Sequence, residues 1–336
     1  MSLFAFAPSR GPRWPLATQA ALAISVPIAV MTLAGHPAWG YVAASGAFTI
    51  LYAGSYAAAE RARVLPFAAL GLLASAAAGV LLAGDQVRVS IGVVVVAIVS
   101  GALAFGFRLG PPGPLFFVLL YGLSAHVVAD GAIAAGIYLA ALASGLAFSL
   151  AIALSPLVLR RHRDTPARPL RELLPGPALD ADARMLLLRV VLVAVVGVLL
   201  GLAIDPERTY WIVGSGVAVI GVAAVRRAAF QRGLHRMLGT VVGAGLFLLL
   251  ALLHPAGIWL ALLLGALQFA IEMVVVRHYA LALVFITPLV LLLTGAATGT
   301  IGSLDVVGER IVDTLVGAAL GAASGVLHPR ATAREA

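Results

Sequence analysis

Stretches of about twenty apolar residues recur along this chain, and an α-helix of that length crosses the hydrocarbon core of a bilayer. Lipid offers no partner to a bare peptide N–H or C=O, so each such run must satisfy its own backbone as a helix. Read by that length, the first half holds six spans, at 16–34, 38–58, 64–83, 88–107, 114–129 and 132–156. The second half holds six more, at 185–204, 209–225, 237–253, 257–276, 279–297 and 308–327. The fold expected is an all-α polytopic membrane protein of about twelve transmembrane helices. Composition agrees: 62% of residues are hydrophobic and 11% charged, whereas a soluble domain carries about a quarter charged residues.

The charged residues give the orientation. There is no lysine, and the 22 cationic side chains are all arginine. With the N-terminus inside, every arginine except Arg88, Arg208 and Arg310 falls on the cytoplasmic side of the twelve spans. The opposite side is dominated by Asp85, Asp130, Asp205, Glu207, Asp305 and Glu309. This is the positive-inside pattern, and it places both termini in the cytoplasm. The net charge of +8 therefore marks topology, and no nucleic-acid partner is expected. Arg226, Arg227, Arg232 and Arg236 lie between two spans and read as a cytoplasmic loop, followed by a small-residue face at Gly239, Gly243 and Gly245 that lets another helix approach. The first apolar run is too long for a signal peptide and reads as a retained helix.

The linker 160–184, rich in Pro, Arg and Asp, separates a first six-helix repeat, 1–159, from a second, 185–336. Trp39-Gly-Tyr41 opens the second span of the first half, and Tyr210-Trp211 opens that of the other. Arg108 follows Trp39 by 69 residues and Arg277 follows Trp211 by 66, and Phe116 and Phe285 each lie 8 residues past their arginine. Both halves start inside, which makes them parallel repeats, an arrangement found among secondary transporters.

Several features exclude other classes. There is no cysteine, hence no thiolate site or disulfide. No phosphate-cradling loop, metal-spaced His/Glu cluster or nucleophile elbow occurs, so neither an enzyme nor a cofactor is expected.

Ionisable groups within spans are costly and invite functional readings. Glu272 lies within the span ending near Val276, with Gln268 one turn earlier on the same face. A carboxylate there can take up and release a proton. Equally, it can sit near the cytoplasmic end, paired with Arg277 or His278. Asp313 lies three residues after Arg310 in the last span, close enough for an ion pair or a proton or anion site. Arg236, Gly239, Thr240 and Gly243 share one stripe; Arg236 can attract an anion at the cytoplasmic mouth or simply anchor the topology. Pro27 and Pro288 interrupt spans, and Thr287-Pro288 suggests a discontinuous helix. His126 reads as a packed side chain.

The second half resembles the fusaric acid resistance-like integral membrane family, which includes aromatic carboxylic acid exporters. The resemblance rests on Tyr210-Trp211, the run Arg236-Met-Leu-Gly239-Thr240-Val-Val-Gly243, Arg277-His-Tyr279-Ala280 with Ala282 and Phe285, and Glu309-Arg310-Ile-Val-Asp313-Thr314-Leu-Val-Gly317. The first half lacks the Arg-x-x-Gly-Thr run; Arg63-Val-Leu-Pro66 stands in its place. The resemblance implies a secondary transporter in a bacterial inner membrane that exports small organic, chiefly aromatic, carboxylates on the proton gradient. Arg236, Arg277, Arg310 and Thr240 are then candidates for the substrate, and Glu272 and Asp313 for proton coupling. Other readings are a passive organic-anion channel akin to plant malate channels and a non-transporting membrane scaffold. The partners expected are the organic anion, membrane lipid and further copies of the chain.

Overall fold

The computed structural model describes residues 6–8, 11–221, 225–299, 301 and 303–328. Arg10, Arg330 and Arg334, which enter the charge pattern, lie outside the described residues. Everything regular among the described residues is helical. The elements are α1 (Trp14–Leu33), α2 (Pro37–Ala44) with a 3₁₀ segment (Ser45–Leu51), α3 (Ala58–Leu82), α4 (Gln86–Gly106), α5 (Leu115–Ala129) and α6 (Ala135–Leu154). Two single-turn helices, α7 (Arg160–Arg163) and α8 (Leu170–Leu173), lie in the linker. Then come α9 (Ala181–Ile204), α10 (Thr209–Ile220), α11 (Arg226–Ala251), α12 (Gly257–Val274), α13 (Tyr279–Thr298) and α14 (Leu304–Ala323).

Nine of the described helices are long and apolar enough to cross a membrane, and α5 is a shorter apolar helix of 15 residues. The chain is a multi-pass membrane protein. Spans 38–58 and 209–225, expected as full helices, are short and broken instead. The first breaks into a 3₁₀ segment at Ser45, and Ala53 follows at φ 51°. The second is a helix of 12 residues that turns at Gly221, φ 55°. Every residue of α10 is buried, so its length is set by protein neighbours rather than by bilayer thickness. Pro27 and Pro288 do lie inside helices, but α13 runs unbroken past Thr287-Pro288.

A second correction concerns the arginine loops. Arg226 to Arg236 form the first part of the 26-residue α11, and Glu60, Arg61 and Arg63 lie within α3. Arginine, alanine, leucine and glutamine are strong helix formers, and no glycine–proline signal stops the helix at the edge of its apolar run.

Polar side chains cap the starts of α4, α9 and α13. Asp85 accepts hydrogen bonds from the N–H groups of Val87 and Arg88 at the head of α4. Asp180 accepts from Ala183 N–H at 2.8 Å and pairs with Arg108, and these two interactions hold its carboxyl below the usual Asp range. The Nδ1 of His278 accepts from Leu281 N–H at the head of α13.

The chain divides into two compact units, each drawn from both halves of the sequence. One comprises Met1–Leu73, Asp130–Leu173 and Leu238–Ile311; the other comprises Ala74–Ala129, Leu174–Met237 and Val312–Ala336. In the first unit α1 packs most extensively against α12, and α2 against α6 and α13. In the second, α9 packs against α10 and α4, and α10 against α5. In both units a first span therefore lies on a fourth span of the other half, and a second element on a fifth.

Glycines permit the closest approaches. A Cβ on Gly145 of α6 would run into the carbonyl of Ala43, and one on Gly317 of α14 into the carbonyl of Ile212. Each joins the short second element of its unit to a sixth-span helix. We expect Gly145→Leu and Gly317→Leu each to destabilise the protein by about 1–3 kcal/mol or more, because the blocking atoms are backbone. Gly136→Ala and Gly308→Ala, where nothing lies within 4 Å, leave stability unchanged or raised. Thermal midpoints in detergent, read by size-exclusion fluorescence, check both.

Candidate functional site

The residues with chemical potential are polar groups held inside apolar helices, and both units contain them. In the first unit, Gln268 and Glu272 stand one turn apart on α12, and Gln268 Nε2 donates to Glu272 Oε1 at 3.3 Å. Glu272 is 5% exposed. Its partner is Arg13, just before α1, whose Nη2 donates to Glu272 Oε2 at 3.0 Å and whose Nε donates to the Glu272 carbonyl at 2.7 Å. Neither Arg277 nor His278 is that partner. His278 caps α13 with its side chain. Arg277 donates to the carbonyl of Ala7 and lies 5.5 Å from the centroid of the Phe6 ring. The close packing of α1 on α12 brings Arg13 to the carboxylate, an adjacency no local spacing encodes.

Arg61, also in the first unit, is buried within α3. It donates to Gln19 Oε1 at 2.8 Å and to the Ile50 carbonyl at 3.4 Å, and no carboxylate pairs with it among the described residues. Its neighbour Glu60 is taken by Arg168 of the linker, at 2.7 Å. Thr240 is buried beside Gly239 and Gly243, which pack against Ala280, Leu283 and Thr287 of α13. Those glycines serve helix packing.

The second unit is organised around α10. Arg232 Nη2 donates to the Ala218 carbonyl at 3.0 Å, and its guanidinium lies against Gly221. Arg236, one turn later on α11, is buried and donates to Ser215 Oγ at 3.4 Å. Ten residues into α11, Arg236 stands about 15 Å from the start of the helix. The last carbonyls of a helix carry partial negative charge and need donors, and Arg232 supplies one for α10. Arg61 does the same for the 3₁₀ segment in the first unit, through Ile50. Arg189 of α9 is 0% exposed and donates to Ser324 Oγ at 3.0 Å and the Gly321 carbonyl at 3.3 Å, again without a carboxylate among the described residues. His328 nearby is buried, and burial followed by the Arg189 charge pushes its pKa down.

On α14, Arg310 and Asp313 are both buried, as is Thr314. Glu272, Arg277, Thr240 and Arg310 belong to the first unit, and Arg236 and Asp313 to the second. Arg13, Gln19, Arg61, Arg189, Ser215 and Arg232 were not singled out from the sequence for chemistry. Arg189 carried a legible signal, since it sits within an apolar span with no acidic residue one turn away.

Several polar contacts link segments far apart in the sequence. Arg13 with Glu272, Glu60 with Arg168, Arg108 with Asp180, and Arg189 with Ser324 each join segments expected on one side. Gln86 donates to the Pro206 carbonyl, joining two segments expected on the other.

Residues 185–324 match the family described as Fusaric acid resistance protein-like. A protein of Bacillus subtilis (strain 168), described as "Uncharacterized membrane protein YvaC", is 36% identical over 121 residues, which is 36% of this chain and 19% of that protein. The chain thus aligns with about a fifth of that relative's length. No solved structure matches it.

Buried pairs couple strongly because each partner left alone is an uncompensated charge. Arg13→Gln and Glu272→Gln should each lower the thermal midpoint, and the double variant should fall short of their sum, with a coupling of about 0.5–3 kcal/mol. Arg277→Gln combined with Glu272→Gln should be additive. The same unfolding assay in detergent reads both cycles.

Proposed function

We propose that this multi-pass membrane protein, whose residues 185–324 form a fusaric acid resistance protein-like domain, is a secondary transporter exporting organic, chiefly aromatic, carboxylic acids. The observation that carries the reading is a set of guanidinium groups held inside apolar helices by neutral oxygens. Arg61 rests on Gln19 and a carbonyl, and Arg189 on a serine and a carbonyl. Positive charge retained in helices without a carboxylate makes their surroundings favourable to an anion and hostile to a cation.

Within that reading Arg236 is a substrate contact, sharing its guanidinium with Ser215, and the buried Thr240 is a further candidate. Arg277, in the turn between α12 and α13, and Arg310, in the first half of α14, attract the anion. Glu272 and Asp313 carry the proton. Protonation of Glu272 removes the charge that holds Arg13, so proton uptake frees the segment before α1 from the end of α12. The two-repeat layout of twelve elements belongs to the same proposal. It is supported by the matched packing of first on fourth and second on fifth elements in both units. The site is the bacterial inner membrane, with both termini cytoplasmic, in keeping with the arginine asymmetry.

Proteoliposomes with an imposed pH gradient test this. Uptake of an aromatic carboxylate should rise with the gradient in wild type and lose that dependence in Glu272→Gln. Arg236→Gln should lower flux at every gradient. Flux indifferent to the gradient identifies a channel, and absence of flux for any organic anion, in folded protein, removes the transport reading.

A further inference from the structure

A cavity of about 720 Å³ lies in the second unit between the first three turns of α11 and the last turns of α14. Phe230 and Met237 of α11, Ala319, Ala322 and Ala323 of α14, and Val326 in the 3₁₀ turn (Ser324–Leu327) that follows α14 form its walls. The three α14 residues follow the spacing of a single helix face, and all are alanines that leave the groove open. Among the described residues its only charged lining is Arg226 and Arg227, both at the start of α11. Neither makes an ion pair or a side-chain hydrogen bond among the described residues. Phe230 is 64% exposed, so the groove is not sealed by the unit's own side chains.

From Arg226 to Met237 the wall runs eleven residues, about 16 Å along the helix axis. That matches the length of one acyl chain, about half of the roughly 30 Å hydrocarbon core. The chemistry is therefore cationic at one end and apolar for the depth of a single acyl chain. A small aromatic acid would leave most of that length empty, and a zwitterionic lipid would leave two guanidinium groups uncompensated.

We infer that this groove is a binding site for one anionic glycerophospholipid. Its phosphate lies between Arg226 and Arg227, and one acyl chain runs down the α11–α14 wall past Phe230 to Met237. The site is independent of the transport reading. It holds whether or not the protein moves a solute.

Native mass spectrometry of the full chain, released from micelles holding equal phosphatidylglycerol and phosphatidylcholine, tests it. Wild type should retain phosphatidylglycerol preferentially. Arg226→Gln with Arg227→Gln should cut that preference by about ten- to thirtyfold, the worth of two cationic contacts near a lipid surface. The charge-keeping pair Arg226→Lys and Arg227→Lys should preserve it. Ala322→Phe, which fills the groove with both arginines intact, should abolish it. Arg171→Gln with Arg184→Gln should leave it unchanged. The assignment is overturned by equal retention of the two lipids in wild type, by an equal loss in the Arg171/Arg184 pair, or by a monodisperse Ala322→Phe protein that keeps its preference. It is also overturned if millimolar inorganic phosphate displaces the lipid, which marks an anion site without a chain-binding groove.

Discussion

A helix that stops inside an apolar surrounding leaves its last carbonyls with nothing to accept from, and the described residues contain two such stops. One is α10, buried from Thr209 to Ile220, and the other is the 3₁₀ end of the α2 segment. Each is met by an arginine from the helix that follows: Arg232 donates to Ala218 and Arg61 to Ile50. The cost of a guanidinium in an apolar surrounding and the cost of an unsatisfied helix end offset one another when the two are placed together. The short elements survive because those charges are there, and the charges are tolerated because the short elements end there. Arg189 repeats the pattern at the end of α14.

This pairing explains what the sequence made legible and what it concealed. Spans such as 185–204 and 257–276 were legible because lipid allows one solution to an apolar run of that length. The broken elements were not, because Ser45 and Gly221 look like ordinary interior residues of an apolar run; the break is held by Arg61 and Arg232, which lie in the next element. The positions of Arg226 to Arg236 misled for a related reason. Charge reports where a chain leaves lipid, not where its helix begins, and α11 begins ten residues before Arg236.

The candidate site was legible residue by residue but not in its pairings. Glu272 stood out as a carboxylate in an apolar helix, and Gln268 beside it followed from helical spacing. Its cationic partner did not, because Arg13 lies 259 residues away and arrives only through the packing of α1 on α12. Local reasoning offered Arg277 and His278, whose side chains are engaged elsewhere, with Ala7 and Leu281. Arg189 shows the opposite case: the sequence marks it as out of place, and only the structure shows the serine and carbonyl that hold it.

The exchange of helices between halves bears on how the chain is made. In a membrane protein assembled as it emerges from the ribosome, α1 must wait in the lipid until α12 is synthesised, and α4 must wait for α9. Neither half therefore contains its own complete set of neighbours. Cutting the chain in the linker would yield two fragments that each lack surfaces the other provides.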